Sequence, residues 1–331
     1  MNVSVVRSLV AGALATMTGL ASVAAAAEVY PAKPIQLVVP FSAGGDADQS
    51  ARNLAASAAD ILGQPMIVVN KAGGNGIIGS QYVKAAKPDG YTLLLARTGP
   101  QILLPALQPQ TTGYAWNDFT FLGLLDLNPV ICAVHPDSPF KNFQDLVAGL
   151  QAKPGKLSYS HPGVATVPNL TPQLVLSSLG LPPGAAINVP YKGGGEAVLA
   201  VMSREVDFSC GNLSSMMGNL TGGKLRPLIT TTPERLNKFP NLPTAREAGF
   251  PQLEAMLGWS ALYGPPNMST ATVNRWVGAL QRVAGDARWI AGTQGFGGIP
   301  RVLPPADTEK FVGESFSINQ RIVRDANLKL E

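Results

Sequence analysis

The sequence predicts an α/β protein of two lobes, each a mostly parallel sheet flanked by helices, with a ligand cleft between them. Three observations predict it. Without a 27-residue leader, roughly 300 residues remain, about twice the length that one core commonly serves. A unit of short apolar strand, glycine-rich turn and amphipathic helix occurs twice at the start and twice more after Pro154-Gly155-Lys156. Strands alternating with helices at this spacing imply parallel pairing through right-handed crossovers.

Residues 1–27 read as a secretory signal peptide: Arg7, a stretch of apolar and small residues from Ser8, then Ala24-Ala25-Ala26-Ala27, with cleavage before Glu28. Gly12, Thr16, Thr18, Gly19 and Ser22 dilute the run below what an uncleaved anchor needs. The reading is of an exported, soluble protein. In the first lobe, Ile35–Pro40 is a strand, Phe41–Gly45 a turn, and Asp46–Leu62 a helix. Met66–Val69 is the next strand, Asn70–Gly76 a turn and Ile77–Ala86 a helix, and Pro88-Asp89-Gly90 turns into the strand Tyr91–Ala96. In the second, Leu157–Ser160 is a strand, His161–Pro168 a loop and Asn169–Leu179 a helix. Ile187–Val189 is a strand, Pro190–Gly195 a loop, and Glu196–Ser203 a helix running into the strand Val206–Cys210. The last third reads as mostly helical, with Thr270–Ala284 and Pro305–Ala326 showing apolar spacing of three and four. Since helices need a sheet to cover, lobe one is placed at 28–127 plus 251–331 and lobe two at 128–250.

The charge after removal of Arg7 is +3, without a Lys/Arg cluster, so neither nucleic acid nor anionic lipid is an expected partner. The two cysteines, Cys132 and Cys210, either pair, as an oxidising compartment permits, or stay buried and unpaired, the blander reading. Two isolated histidines and scattered carboxylates give no metal-ligand spacing, and no G-x-S-x-G elbow is present. No catalytic constellation and no cofactor follow. Gly74-Asn75-Gly76-Ile77-Ile78-Gly79 matches the dinucleotide pattern G-x-G-x-x-G, but the next strand runs into Arg97 where a nicotinamide site wants an acid.

Each glycine-rich turn delivers the chain to a helix start, where N–H groups lack partners and the helix dipole is positive. Such turns are anion sites, or merely tight strand-helix connections; two in tandem favour binding. The candidates are Phe41, Ser42, Ala43, Gly44 and Gly45 in one turn and Gly74, Asn75 and Gly76 with Ile78 in the other. Side chains at Gly44 or Gly76 would then block the ligand's approach. Phe41 is a wall for the ligand or a core plug. Asp48 either stabilises the first helix turn or accepts a bond from a ligand. His161 is a loop residue facing the cleft and bonding a ligand, or a solvated one. Lys192, with Gly193, Gly194 and Gly195, sets a cation and free N–H donors beside another helix start, unless it is fully solvated.

The chain resembles the tripartite tricarboxylate transporter substrate-binding proteins, also called Bug proteins, from about Tyr30 to its C-terminus. The resemblance rests on Tyr30–Ile35, on Pro40-Phe41-Ser42-Ala43-Gly44-Gly45 with Asp48 and Arg52, and on Gly63-Gln64-Pro65 and Asn70–Gly79. It continues through Pro88-Asp89-Gly90-Tyr91-Thr92-Leu93, Val189-Pro190-Tyr191-Lys192-Gly193, Val206-Asp207 and Gly223-Lys224-Leu225-Arg226. Leu242-Pro243-Thr244, Glu247-Ala248-Gly249 and Gly264-Pro265-Pro266 complete it. It implies a type II-like periplasmic binding protein whose lobes close on a small carboxylate, such as a di- or tricarboxylate, amino acid or aromatic acid. It further implies that Phe41–Asp48 and Gly73–Gly79 clamp a carboxylate through backbone groups and water. Across the cleft it implicates Ser160–Asn169, including Ser160, His161, Thr166 and Asn169, and Gly193–Glu196. Partners would be integral membrane transporter subunits or, alternatively, a sensor kinase to which a monomer presents its ligand. The chain departs from the family pattern at Ala165, Asn169, Gly211 and Ser42, so ligand specificity does not carry over.

Overall fold

The computed structural model describes residues 30–325; the leader expected at 1–27 lies outside them. The first strand, β1 (Ile35–Val39), is apolar at four of its five positions and buried at those four, as a strand covered on both faces must be. A glycine turn leads into α1 (Asp46–Leu62), whose Ala47, Ala51, Leu54, Ala55, Ala58 and Leu62 recur at helical spacing and are buried. Gly63 ends it in the left-handed conformation, its N–H donating to the Ala59 carbonyl at 2.9 Å. β2 (Met66–Asn70), a tight turn, α2 (Ile77–Lys84) and β3 (Thr92–Arg97) follow. A π-helical turn, Gly99–Leu103, continues into α3 (Leu104–Leu107), and α4 (Pro109–Thr112) precedes β4 (Thr120–Asn128).

Pro129 alone separates β4 from β5 (Val130–Val134), and with that step the chain enters a second sheet. There it forms α5 (Phe143–Ala152), β6 (Leu157–His161), α6 (Val167–Ser178), β7 (Ala186–Pro190), α7 (Gly194–Met202), β8 (Phe208–Asn212), α8 (Leu213–Thr221) and β9 (Arg226–Thr230). It returns through residues 231–257 to β10 (Gly258–Gly264), α9 (Thr270–Ala284), α10 (Ala287–Gly295), β11 (Ile299–Leu303) and α11 (Pro305–Asp325). The first sheet has the order β11-β4-β10-β3-β1-β2 and the second β7-β6-β8-β5-β9.

The two-lobed α/β fold is present, with mixed rather than mostly parallel sheets. The strand-turn-helix repeats give the parallel pairs β1 with β2 and β3, and β6 with β7 and β8. All other pairs are antiparallel, because β4, β5, β9 and β10, the strands next to the passages between sheets, enter without a parallel crossover. The last third is less helical than expected: β10 runs centrally between β4 and β3, and Trp259, Ala261, Leu262 and Tyr263 on it are buried. The reading of unpaired cysteines is also corrected. Cys132 on β5 lies directly opposite Cys210 on β8, and the two form a disulfide closing a separation of 78 residues. On chain-entropy grounds such a loop stabilises by about 4 kcal/mol. Among the described residues, no helix is long and apolar enough to cross a membrane.

Candidate functional site

Four helices begin around one space between the two sheets. Gly45 and Asp46 open α1, Thr98 and Gly99 open the π-helical turn, Thr166, Val167 and Pro168 open α6, and Gly193 and Gly194 open α7; all line the same cavity. Phe41, Ser42, Arg97, Pro162, Asn212 and Gly258 complete its walls. An α-helix start generally leaves N–H groups without intrahelical partners and carries about half a positive charge, so the three α-helix starts suit an anion. The space left between the loops is about 30 Å³.

The loops of the two sheets meet across it. Ser42 Oγ donates to the Lys192 carbonyl at 3.3 Å, Asn212 Nδ2 donates to Asp46 Oδ2 at 2.6 Å, and Ser214 Oγ donates to Asn128 Oδ1 at 3.2 Å. A Cβ on Gly45 would stand 3.7 Å from the Gly194 nitrogen, so the glycines let the two helix starts face each other closely. A shallower groove of about 350 Å³ lies beside the cavity, lined by the second turn, Ala72 to Gly76, together with Pro40, Phe41, Pro162, Tyr191 and Lys192. Phe41 and Pro162 border both spaces.

The floor of the cavity is ionic. Arg97, buried at the end of β3, donates Nη2 to Asp46 Oδ2 and Nη1 to Ser260 Oγ at 2.5 Å. Behind it Asp126 accepts from Ser50 at 2.8 Å, Ser260 at 2.8 Å and Asn128 at 2.5 Å. Burial raises the Asp126 pKa; Arg97 and these three bonds pull against the rise without reversing it.

Of the residues singled out in sequence, Phe41, Ser42, Gly45, Thr166, Gly193 and Gly194 are brought together at the cavity. Gly74, Asn75, Gly76 and Lys192 reach only the outer groove. Ala43 and Gly44 are exposed and line neither space, the Gly44 carbonyl lying 3.7 Å from where a Cβ on Gly195 would stand. Ile78 is exposed and packs beneath Gly73, where a Cβ would come within 2.6 Å of its Cδ1. Asp48 is buried and fully engaged: it accepts from the Gly44 N–H at 3.0 Å, from Asn70 at 3.0 Å and from Arg52 at 2.9 and 3.0 Å. It holds the two turns together, Asn70 also donating to the Phe41 carbonyl at 3.1 Å.

His161 is not in a cleft-facing loop. It pairs with Pro190 as the last residue of β6 and is fully buried, its Nδ1 accepting from the Gly163 N–H at 3.2 Å. Burial lowers its pKa to about 4, so it stays neutral near pH 7. Ser160 is likewise inside the sheet, donating to the Ala197 carbonyl at 2.6 Å. Asn169 spans Tyr159, from which it accepts at 2.9 Å, and the Val164 carbonyl, to which it donates at 2.6 Å; it shapes the loop before α6 without lining the cavity. Gly44 and Gly76, expected to clear a ligand's approach, have different surroundings. A Cβ on Gly44 would meet nothing within 4 Å, and one on Gly76 would strike Pro100 Cγ at 2.5 Å.

Sequence reasoning missed Arg97 and Asn212, and gave Asp46, within the first clamp loop, no role of its own. The one available signal was a charge, Arg97, closing an otherwise apolar strand, Leu93-Leu94-Leu95-Ala96-Arg97. Among the described residues no group of three or more His, Cys, Asp or Glu could hold a metal ion.

A family model described as the tripartite tricarboxylate transporter family receptor matches residues 50–328. The chain belongs to this family. Members of the receptor family are periplasmic solute-binding proteins rather than enzymes. The chain is similar to the protein BugT of Bordetella pertussis, 30% identical over 311 residues that span 92% of this chain and 93% of that one. It is similar in structure to an R. palustris protein solved with adipate, at 26% identity and TM-score 0.85, covering 90% of this chain and 99% of the other. It is also similar to MatC from Rhodopseudomonas palustris with bound malate, at 27% identity and TM-score 0.82, covering 89% of this chain and 100% of the other.

Proposed function

We propose that this protein captures a small carboxylate in the periplasm by closing its two lobes, 28–127 plus 251–331 and 128–250, and presents it to a tripartite tricarboxylate-type membrane transporter. The observation that carries the proposal is the convergence of three α-helix N-termini and a π-helical turn on one cavity between the sheets. Unpaired N–H groups hold a carboxylate without a full counter-charge, which keeps release possible. The loops of the two lobes are bonded to each other across the cavity, Ser42 to Lys192 and Asn212 to Asp46, so a carboxylic acid enters when the lobes separate. Motion is expected at the passages between sheets, Pro129 and residues 231–257, with Ser42–Lys192 and Asp46–Asn212 breaking and re-forming. Adipate and malate on the two similar structures support a carboxylate as the ligand class.

No catalytic group is assigned. His161, the remaining candidate base, is buried with a depressed pKa. Isothermal calorimetry and thermal shift on the mature protein test the reading against mono-, di- and tricarboxylic, aromatic and amino acids. A saturable shift with at least one acid is expected; no response to any of them overturns it. Deleting the gene should abolish uptake of that acid, and loss of gene induction with uptake intact would overturn the transport role.

A further inference from the structure

We propose that the cleft selects an amino-carboxylate, an acid that also carries an ammonium group, over a dicarboxylate of matched length. The proposal rests on the carboxylate-binding reading above and assigns the other end of the ligand to Asp46 and Asn212.

Two residues that line the cavity, one from each lobe, each carry an acceptor oxygen with nothing to accept among the described residues. Asn212 is 8% exposed; its Nδ2 donates to Asp46 Oδ2, which orients the amide, since the flipped form would set its oxygen against a carboxylate. Its Oδ1 is thereby buried without a partner, 3.3 Å from where a Cβ on the cavity-lining Gly258 would stand. Asp46 receives both of its bonds on Oδ2, from Arg97 and Asn212. Its Oδ1 lies on the Gly194 side, 3.7 Å from the position of a Cβ there, and accepts no bond among the described residues. A buried acceptor such as Asn212 Oδ1 is ordinarily paired, and with Asp46 Oδ1 beside the same Asp–Asn contact it asks for a group with several donors. An ammonium has three donors and no acceptor.

Arg97 does not offer the alternative of a second carboxylate site. Its guanidinium already faces Asp46, and Asp126 lies behind Ser260, so it has no unneutralised charge for another anion. A second carboxylate placed here would bring only acceptors to these acceptors, whereas an ammonium brings three donors. The helix starts remain for the ligand's single carboxylate, so the cleft has an anion end and a donor-seeking end.

The test is calorimetry on the full mature protein with matched pairs: 3-aminopropanoate against succinate, 5-aminopentanoate against adipate, and α-amino acids against dicarboxylates of equal chain length. The expected result is at least tenfold tighter binding of the amino member in at least one pair. Asp46→Asn should reduce that affinity at least tenfold without weakening any dicarboxylate. Asn212→Leu, which leaves the Arg97–Asp46 pair in place, should reduce it at least threefold, with both variants checked for native melting. Dicarboxylates binding tighter than every amino partner would overturn the selection while leaving the carboxylate reading intact. No binding by either class would overturn both. Unchanged amino-carboxylate affinity in the two folded variants would remove Asp46 and Asn212 from the site.

Discussion

The turns after β1 and β2 are both glycine-rich and both run into a helix, yet their backbones differ. In the first, Gly44 takes φ 82° and the chain then re-extends at Gly45, φ −81° and ψ 179°, so that α1 starts squarely at the cavity. In the second, Gly73, Gly74, Asn75 and Gly76 all have positive φ, at 129°, 56°, 55° and 97°, which winds the chain tightly against Pro40 and Pro100. One glycine turn thus presents a helix start to the cleft, and the other packs a helix onto the sheet while bordering the outer groove. Glycine content alone does not separate these roles. Backbone conformation and the atoms a Cβ would meet do.

The largest expected effect follows from the first turn. Gly45→Val needs no unusual backbone, because φ there is negative, but its side chain would enter the narrow space facing Gly194. Binding should fall below detection, a loss of more than a thousandfold or about 4 kcal/mol, with melting changed by only a few degrees. Normal binding by Gly45→Val would mean that the first turn is not a wall of the site. The contrasting variant, Gly76→Val, should act on stability. A β-branched residue at φ 97° costs about 1–3 kcal/mol in strain alone, and the Cβ overlapping Pro100 adds to it. A drop in melting temperature of roughly 5–10 °C is expected, with affinity of the remaining folded protein within about threefold of wild type at nearly the same energy. Loss of binding without loss of stability would move the second turn into the site.

Sequence reasoning reached as far as local signals reach. Helices α1 and α9 have the expected bounds because their apolar spacing is regular and their ends are marked, by Gly63 in one and by the Ser269 cap, which accepts from the Thr272 N–H, in the other. β10 was not legible: Gly258-Trp259-Ser260-Ala261-Leu262-Tyr263-Gly264 is buried at every position and so lacks the alternation that marks a half-buried strand. The anion-binding turns were legible as chemistry, since glycine before a helix has a physical meaning by itself. The ionic floor was not. Asp46 meets Arg97 51 residues away and Asn212 166 residues away, and each looks ordinary beside its own neighbours. The disulfide also depended on register, which sets Cys132 opposite Cys210.

The smallest predicted effect concerns the side chain that ties the two turns together. Burial by itself raises the Asp48 pKa, but the bonds from Arg52, the Gly44 N–H and Asn70, with the Arg52 charge, together bring it below the ordinary aspartate value. A carboxylate depressed in the folded state contributes stability that is fully present above its unfolded pKa of about 3.9 and is lost as pH falls through the lower folded value. The Arg52 side chain is largely exposed, so solvent and salt weaken its share. Asp48→Asn should therefore cost about 1–2 kcal/mol at pH 7, and the gap from wild type should narrow once pH drops below about 4. Melting curves at pH 7, 5 and 3 read this directly. A gap that stays constant down to pH 3 would show that the charge of Asp48 does not join the turns, and that the bonds from Asn70 to Asp48 and to the Phe41 carbonyl do so by geometry alone.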